Sequence, residues 1–201
     1  MRHLVSMISP ASIPPLVGAL CNAGLGCFVL SRGPDKATHK SFAAFSISVF
    51  LWNIAAFVLF QEMSYAIALN FSKLIFVAVI ALSPCYLHFI CALLNLTPKY
   101  AVKLWIADVM GIALIILTIF GPVVVDIRRV GYCFFGIGGS IFPIIPVYIM
   151  TVIWSSLLVG LHELPKLQGH NRTQLQYFMV ALFTATLGGL NDFLPLIGID
   201  K

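Results

Sequence analysis

Charge is scarce in this sequence. Lysine, arginine, aspartate and glutamate together make up 9 % of its 201 residues, where a soluble globular domain carries about a quarter. A hydrated surface cannot be assembled from so few charges, which excludes a soluble fold. Acidic residues are the rarer sign, 7 against 12 basic ones. That surplus does not point to nucleic acid, because Lys and Arg in a membrane protein chiefly set its orientation. Catalytic signatures are lacking as well: there is no G-x-S-x-G, no H-E-x-x-H and no P-loop. The run Gly136-Ile137-Gly138-Gly139 has no strand-turn-helix setting to make it a dinucleotide fingerprint. The 5 cysteines have neither zinc nor redox spacing. Cys21, Cys27, Cys85 and Cys91 lie in apolar stretches, where a thiol behaves as a small hydrophobe. These residues therefore imply no metal, no cofactor and no enzymatic activity. A secretion signal is excluded too. The apolar stretch from Leu4 to Leu30 outruns the roughly 7–15-residue core of a signal peptide, and no A-x-A site follows it.

Apolar residues fill the space that charge leaves. They account for 60 % of the chain, with a mean hydropathy of +1.01. A spanning helix needs roughly 20 predominantly apolar residues. Stretches of that kind run over about 4–30, 41–60, 66–94, 104–120, 141–161 and 174–197. The sequence predicts an all-α, polytopic membrane helix bundle of six transmembrane helices, forming one domain over 1–201 with the lipid bilayer as its solvent. Pro10, Pro14 and Pro15 bend or delay the first span, and Pro84 interrupts the third. Between spans four and five, Val123, Val125 and Ile127 alternate with other residues, and Gly131 follows Arg128-Arg129. That pattern reads as a short exposed hairpin. The remaining connections are short, so neighbouring helices pack antiparallel.

The basic residues sort onto alternate gaps. Arg32, Lys36, Lys40, Lys99, Lys103, Lys166 and Arg172 fall in the first, third and fifth; Arg2, Arg128, Arg129 and Lys201 fall in the others or at the termini. The positive-inside rule places the odd gaps in the cytoplasm, and both termini and the hairpin outside.

Ionisable residues within a span cost at least about 2.5–3.5 kcal/mol at mid-membrane and are functional candidates by default. Lys73 in span three and Asp192 in span six lie roughly 8–10 Å below the outer ends of their helices. Asn53 and Asn191 fall at similar depth, and Asn70 sits one turn above Lys73. Together they define a polar layer in the outer half. It reads either as a ligand pocket open to the outside or as a buried polar lock of helix register, with Lys73 free to snorkel outward. An Asp192–Lys73 pair would offset the cost of burying either charge. His88 and Asp108 lie near the inner ends of adjacent spans and could form a second pair. That pair is either a proton-sensitive contact or a packed, satisfied histidine.

Several local patterns carry a resemblance. They are the basic linker leading to Phe42 and a span with Trp52, the Ala66–Lys73 opening of span three, and Leu87-His88-Phe89 near its end. Gln174-Leu175-Gln176-Tyr177-Phe178, Gly188-Gly189 and Asn191-Asp192-Phe193-Leu194-Pro195 complete the set. In this order the chain resembles the N-terminal seven-span sensor region of bacterial membrane histidine kinases. The resemblance implies an outside N-terminus, a place in the bacterial cytoplasmic membrane, an unknown small ligand or membrane stimulus, and a kinase output module through which two copies pair as a homodimer. Relatives usually carry an Arg in the first turns of span three. Lys73 keeps that charge without the planar guanidinium fork. The seventh span and the output module are not among these residues, so the chain reads as a receptor missing its last helix. His88, within the membrane, is not a phospho-acceptor. The alternative is a small transporter or channel subunit using the proline-broken first span, although the paired broken helices and internal repeats that often mark transporters are not evident.

Overall fold

The computed structural model describes residues 9–131 and 133–190. A 3-10 turn at Pro10–Ser12 leads into α1 (Ile13–Ser31), followed by α2 (Ala37–Leu59), α3 (Tyr65–Leu93) and α4 (Ala101–Phe120). Two strands, β1 (Val124–Val130) and β2 (Cys133–Gly138), come next, then α5 (Ile144–Glu163) and α6 (Gly169–Leu190). Among the described residues, five helices, α1 to α5, are long and apolar enough to cross a membrane. The protein is a membrane helix bundle that carries a β-hairpin between α4 and α5.

Several helix ends fall outside the apolar limits read from the sequence. α2 starts at Ala37 rather than Ser41, and α6 at Gly169 rather than Gln174. Hydropathy marks hydrocarbon depth, whereas a helix continues through the polar interfacial region as long as its backbone bonds persist. α5 starts later than expected because residues 141–143 form a turn, and Pro143 caps the helix entry. Span six was expected to reach residue 197, and its last part lies outside the described residues.

The helix at the centre is α3. It packs against α2, α4 and α5, and both strands of the hairpin rest on it. Phe76, Ile80, Leu87, Ile90 and Cys91 are all buried along its length. Pro84, buried midway, removes the donor that the Ile80 carbonyl would otherwise receive. At the end of α3, Asn95 adopts φ 55°. The amides of Asn95 and Leu96 return to the carbonyls of Ala92 and Cys91, which closes the helix in a Schellman motif that Asn tolerates without a glycine.

α4 and α5 meet where α4 has no side chain. The Tyr148 hydroxyl donates to the Ala107 carbonyl at 2.9 Å, and a Cβ at Gly111 would stand 2.6 Å from that hydroxyl oxygen. α6 joins the bundle through rings: Phe178 packs on Tyr86 and Phe89, with ring centroids 5.8 and 4.8 Å apart.

Candidate functional site

The hairpin is docked onto the bundle. β1 and β2 pair antiparallel from Val130↔Cys133 to Val124↔Gly138, with an irregularity between Val124 and Asp126 that leaves Val125 unpaired. Gly131 turns the tip at φ 59°, a left-handed conformation that favours glycine. Val123 and Val124 are buried, and the backbone of Gly136 lies close over Ser72 and Phe76 of α3. Two polar clasps fix the hairpin, one to the first residue of α3 and one to the turn that precedes it. The Tyr65 hydroxyl donates to Asp126 Oδ1 at 2.6 Å, and Arg129 Nη2 meets Glu62 Oε1 at 2.9 Å. Asp126 also accepts from the Ile127 amide. The hydrogen bond from Tyr65, and then that amide, hold its carboxyl below the ordinary range.

Beneath β2 lies a cavity of about 340 Å³. α1 contributes Pro15; α2 contributes Trp52, Asn53, Ala56 and Leu59, with Phe60 at its C-cap; α3 contributes Ser72, Ile75, Phe76 and Val79. The remaining wall is residues 133–136 of β2. The α3 residues follow helical spacing, i, i+3, i+4 and i+7, so one stripe of that helix forms its side of the cavity. Among the described residues no charged side chain lines it.

The polar groups of this wall are only partly satisfied. Asn53 Nδ2 donates to the Val49 carbonyl at 2.9 Å. Because a carbonyl can only accept, that bond fixes which end of the amide is oxygen. Asn53 Oδ1 faces α1 at Gly18, where an added Cβ would come within 2.8 Å of it. Ser72 is 2 % exposed, and among the described residues its Oγ has no hydrogen-bond partner. The buried hydroxyls of Ser83, Thr118 and Ser156 return to the carbonyl four residues back, whereas that of Ser46 on α2, like that of Ser72, has no partner among the described residues.

The polar layer expected from the sequence is not gathered at one place. Asn53 belongs to the cavity. Lys73 and Asn70 are not among its lining residues. Lys73 Nζ instead donates to the Ile119 carbonyl at 3.1 Å. That oxygen is one of the last four of α4, which have no donor within their own helix, and the C-terminal end of the helix dipole favours a cation there. Asn70 is exposed. Asn191 and Asp192 lie outside the described residues.

At the other end of the bundle, His88 on α3 faces Asp108 on α4. Its Nε2 stands 2.9 Å from Oδ2 and 3.1 Å from Oδ1. Beyond them, Glu163 gathers Lys99 at 3.3 Å and Lys166 at 3.0 Å, tying the connection after α3 to the end of α5. Among the described residues no group of His, Cys, Asp and Glu could hold a metal ion.

Reading the sequence by ionisable groups missed Ser72 and the aromatic lid of Phe134 and Phe135. A serine within an apolar run costs too little to stand out, and the alternating pattern of a strand does not tell what that strand covers. The available signal was in Ser72, Ile75, Phe76 and Val79, which place a hydroxyl on an otherwise apolar helical stripe.

Comparison with known proteins agrees with this architecture. No curated protein and no solved structure matches the chain. The family model of the N-terminal 7TM region of histidine kinase matches residues 14–200, nearly the whole sequence. The chain therefore belongs to the family of N-terminal seven-transmembrane regions of histidine kinases, a membrane sensory region.

Proposed function

We propose that this region receives an unidentified small ligand, or a state of the membrane, at its hairpin end and passes a helix rearrangement to an output module beyond these residues. In this reading the protein sits in the bacterial cytoplasmic membrane with its N-terminus and hairpin outside. Two copies pair through the output module in the cytoplasm. The observation that supports it is the placement of α3. One end of that helix lines the cavity with Ser72, Ile75, Phe76 and Val79, and the other holds His88 against Asp108. From Ser72 to His88 is roughly 24 Å of helix at about 1.5 Å per residue, with Pro84 between them as a point of weakened backbone bonding. A ligand biases such an element only by binding one of its two arrangements better than the other.

The responsive layer comprises Asn53 on the cavity side of α3 and Lys73 and Asn70 beside it, with Asn191 and Asp192 assigned by their depth in the sequence. Lys73→Ala and Asp192→Asn, introduced into the chain carrying its output module, should change autophosphorylation. Unchanged signalling in both would reduce the layer to a structural role. The coding sequence past codon 201 is a separate check: it should continue in frame into a seventh span and a kinase module. A stop codon there would remove an output module in the same chain.

A further inference from the structure

We infer that the cavity beneath β2 binds a small uncharged molecule with an apolar body and a hydroxyl group, the hydroxyl donating to Asn53 Oδ1. The volume of 340 Å³ lies at the lower end of small-molecule pockets. It equals about eleven water volumes, room for a molecule of about ten non-hydrogen atoms. The walls specify an apolar body, because Trp52, Phe60, Phe76, Phe134 and Phe135 supply most of the bulk. They also disfavour an ion, since among the described lining residues no opposite charge would meet it. The need for a donor comes from Asn53. Its Nδ2 is committed to the Val49 carbonyl, and among the described residues no donor bonds to its Oδ1. Ser72 adds a second polar group on the same wall. Among the described residues its Oγ is buried without a partner, and Ser72 itself lines the cavity. An unpaired buried hydroxyl is a standing cost that a polar group of the ligand would relieve. Such a molecule could arrive dissolved in the lipid or from water; the recognising chemistry is the same.

The inference rests on the sensing role proposed above, but binding is read on the 201-residue chain without any output. Failure of one is thereby distinguishable from failure of the other. Trp52 lines the cavity, while Trp105 and Trp154 are exposed on the bundle surface. In a Trp105→Phe, Trp154→Phe background in lipid nanodiscs, Trp52 is the single indole emitter. The probes are 8-bromooctan-1-ol, whose bromine quenches on contact, and 1-bromooctane, which lacks the hydroxyl. Saturable quenching by the alcohol is expected, weakened about fivefold by Asn53→Leu, the loss of one ordinary hydrogen bond. The bromoalkane should bind more weakly and be indifferent to that substitution. Ala56→Phe, which fills the cavity, should abolish the saturable component. Quenching that rises linearly with probe in the lipid, or that survives Ala56→Phe, overturns the proposal. Should that variant not fold, equal affinity for the two probes overturns it instead. Varying the lipid-to-protein ratio separates the sources. Occupancy that follows mole fraction in the bilayer indicates entry from lipid, and occupancy that follows aqueous concentration indicates entry from water.

Discussion

His88 and Asp108 join α3 to α4 through both carboxylate oxygens, at 2.9 and 3.1 Å from one imidazole nitrogen. A short distance away the same two helices meet α5, where Gly111 leaves room for Tyr148 and Pro84 also approaches. The polar contact and the steric contact therefore lie close together on one side of the central helix. A rearrangement of α3 relative to α4 has to open or slide both.

The first prediction concerns the coupling between His88 and Asp108. Removing one partner leaves the other uncompensated, although both side chains are more than a third exposed, which weakens the effect. Asp108→Ala and His88→Ala should each lower the thermal stability of the purified chain, and the double variant should lose less than their sum. The coupling should be about 1 kcal/mol, measured by unfolding of all four proteins in one detergent. Strict additivity would mean that the pair contributes no interaction of its own.

Gly111 gives a sharper test, because the expected sign changes with the background. Gly111→Ala places a Cβ 2.6 Å from the Tyr148 hydroxyl oxygen, an overpacking that costs about 1–3 kcal/mol. In a Tyr148→Phe background the nearest ring carbon is 3.6 Å away, an ordinary contact. There the substitution should express only the helix preference of Ala over Gly, about 0.8–1 kcal/mol in its favour. Thermal unfolding should therefore show Gly111→Ala destabilising the wild type and sparing or stabilising the Tyr148→Phe protein. A loss of equal size in both would contradict this contact.

These contacts also mark how far the sequence could be read. The apolar runs were legible because bilayer thickness acts on each segment separately. Helix ends such as Ala37 and Gly169 were less so, since they lie in polar stretches that hydropathy does not resolve. Lys73 stood out as an intramembrane charge, but its partner, the Ile119 carbonyl, is a backbone atom that any residue type could supply. Asn53 and Ser72 share a cavity only because β2 folds over α2 and α3, a long-range event with no local signature.

Acid should act on the hairpin clasp. The Asp126 carboxyl is held below its ordinary range by the Tyr65 hydroxyl and the Ile127 amide, so its folded pKa lies below its unfolded one. The contribution to stability is fully present above the unfolded value, about 3.9, and is lost as pH falls through the depressed folded value. Tyr65→Phe should therefore raise hydrogen exchange of β1 amides relative to wild type at neutral pH. The difference between the two proteins should shrink as pH drops below about 4, after correction for intrinsic exchange. A difference that grew on acidification would have the wrong sign for this clasp.

Sidedness can be tested at two exposed positions. Val125, left unpaired in β1, is 49 % exposed, and Arg172 lies exposed near the start of α6. In the proposed orientation, which follows the basic residues of the first, third and fifth gaps, Arg172 would be cytoplasmic and the hairpin outside. In a background with the native cysteines replaced by alanine, Val125→Cys should react with a membrane-impermeant maleimide on intact cells. Arg172→Cys should react only after the membrane is opened. The exposure of Val125 matters here, because a thiol buried against α3 would be silent whichever way the protein faced. The reverse labelling pattern would invert the bundle, put the cavity on the cytoplasmic side, and overturn the proposed direction of signalling.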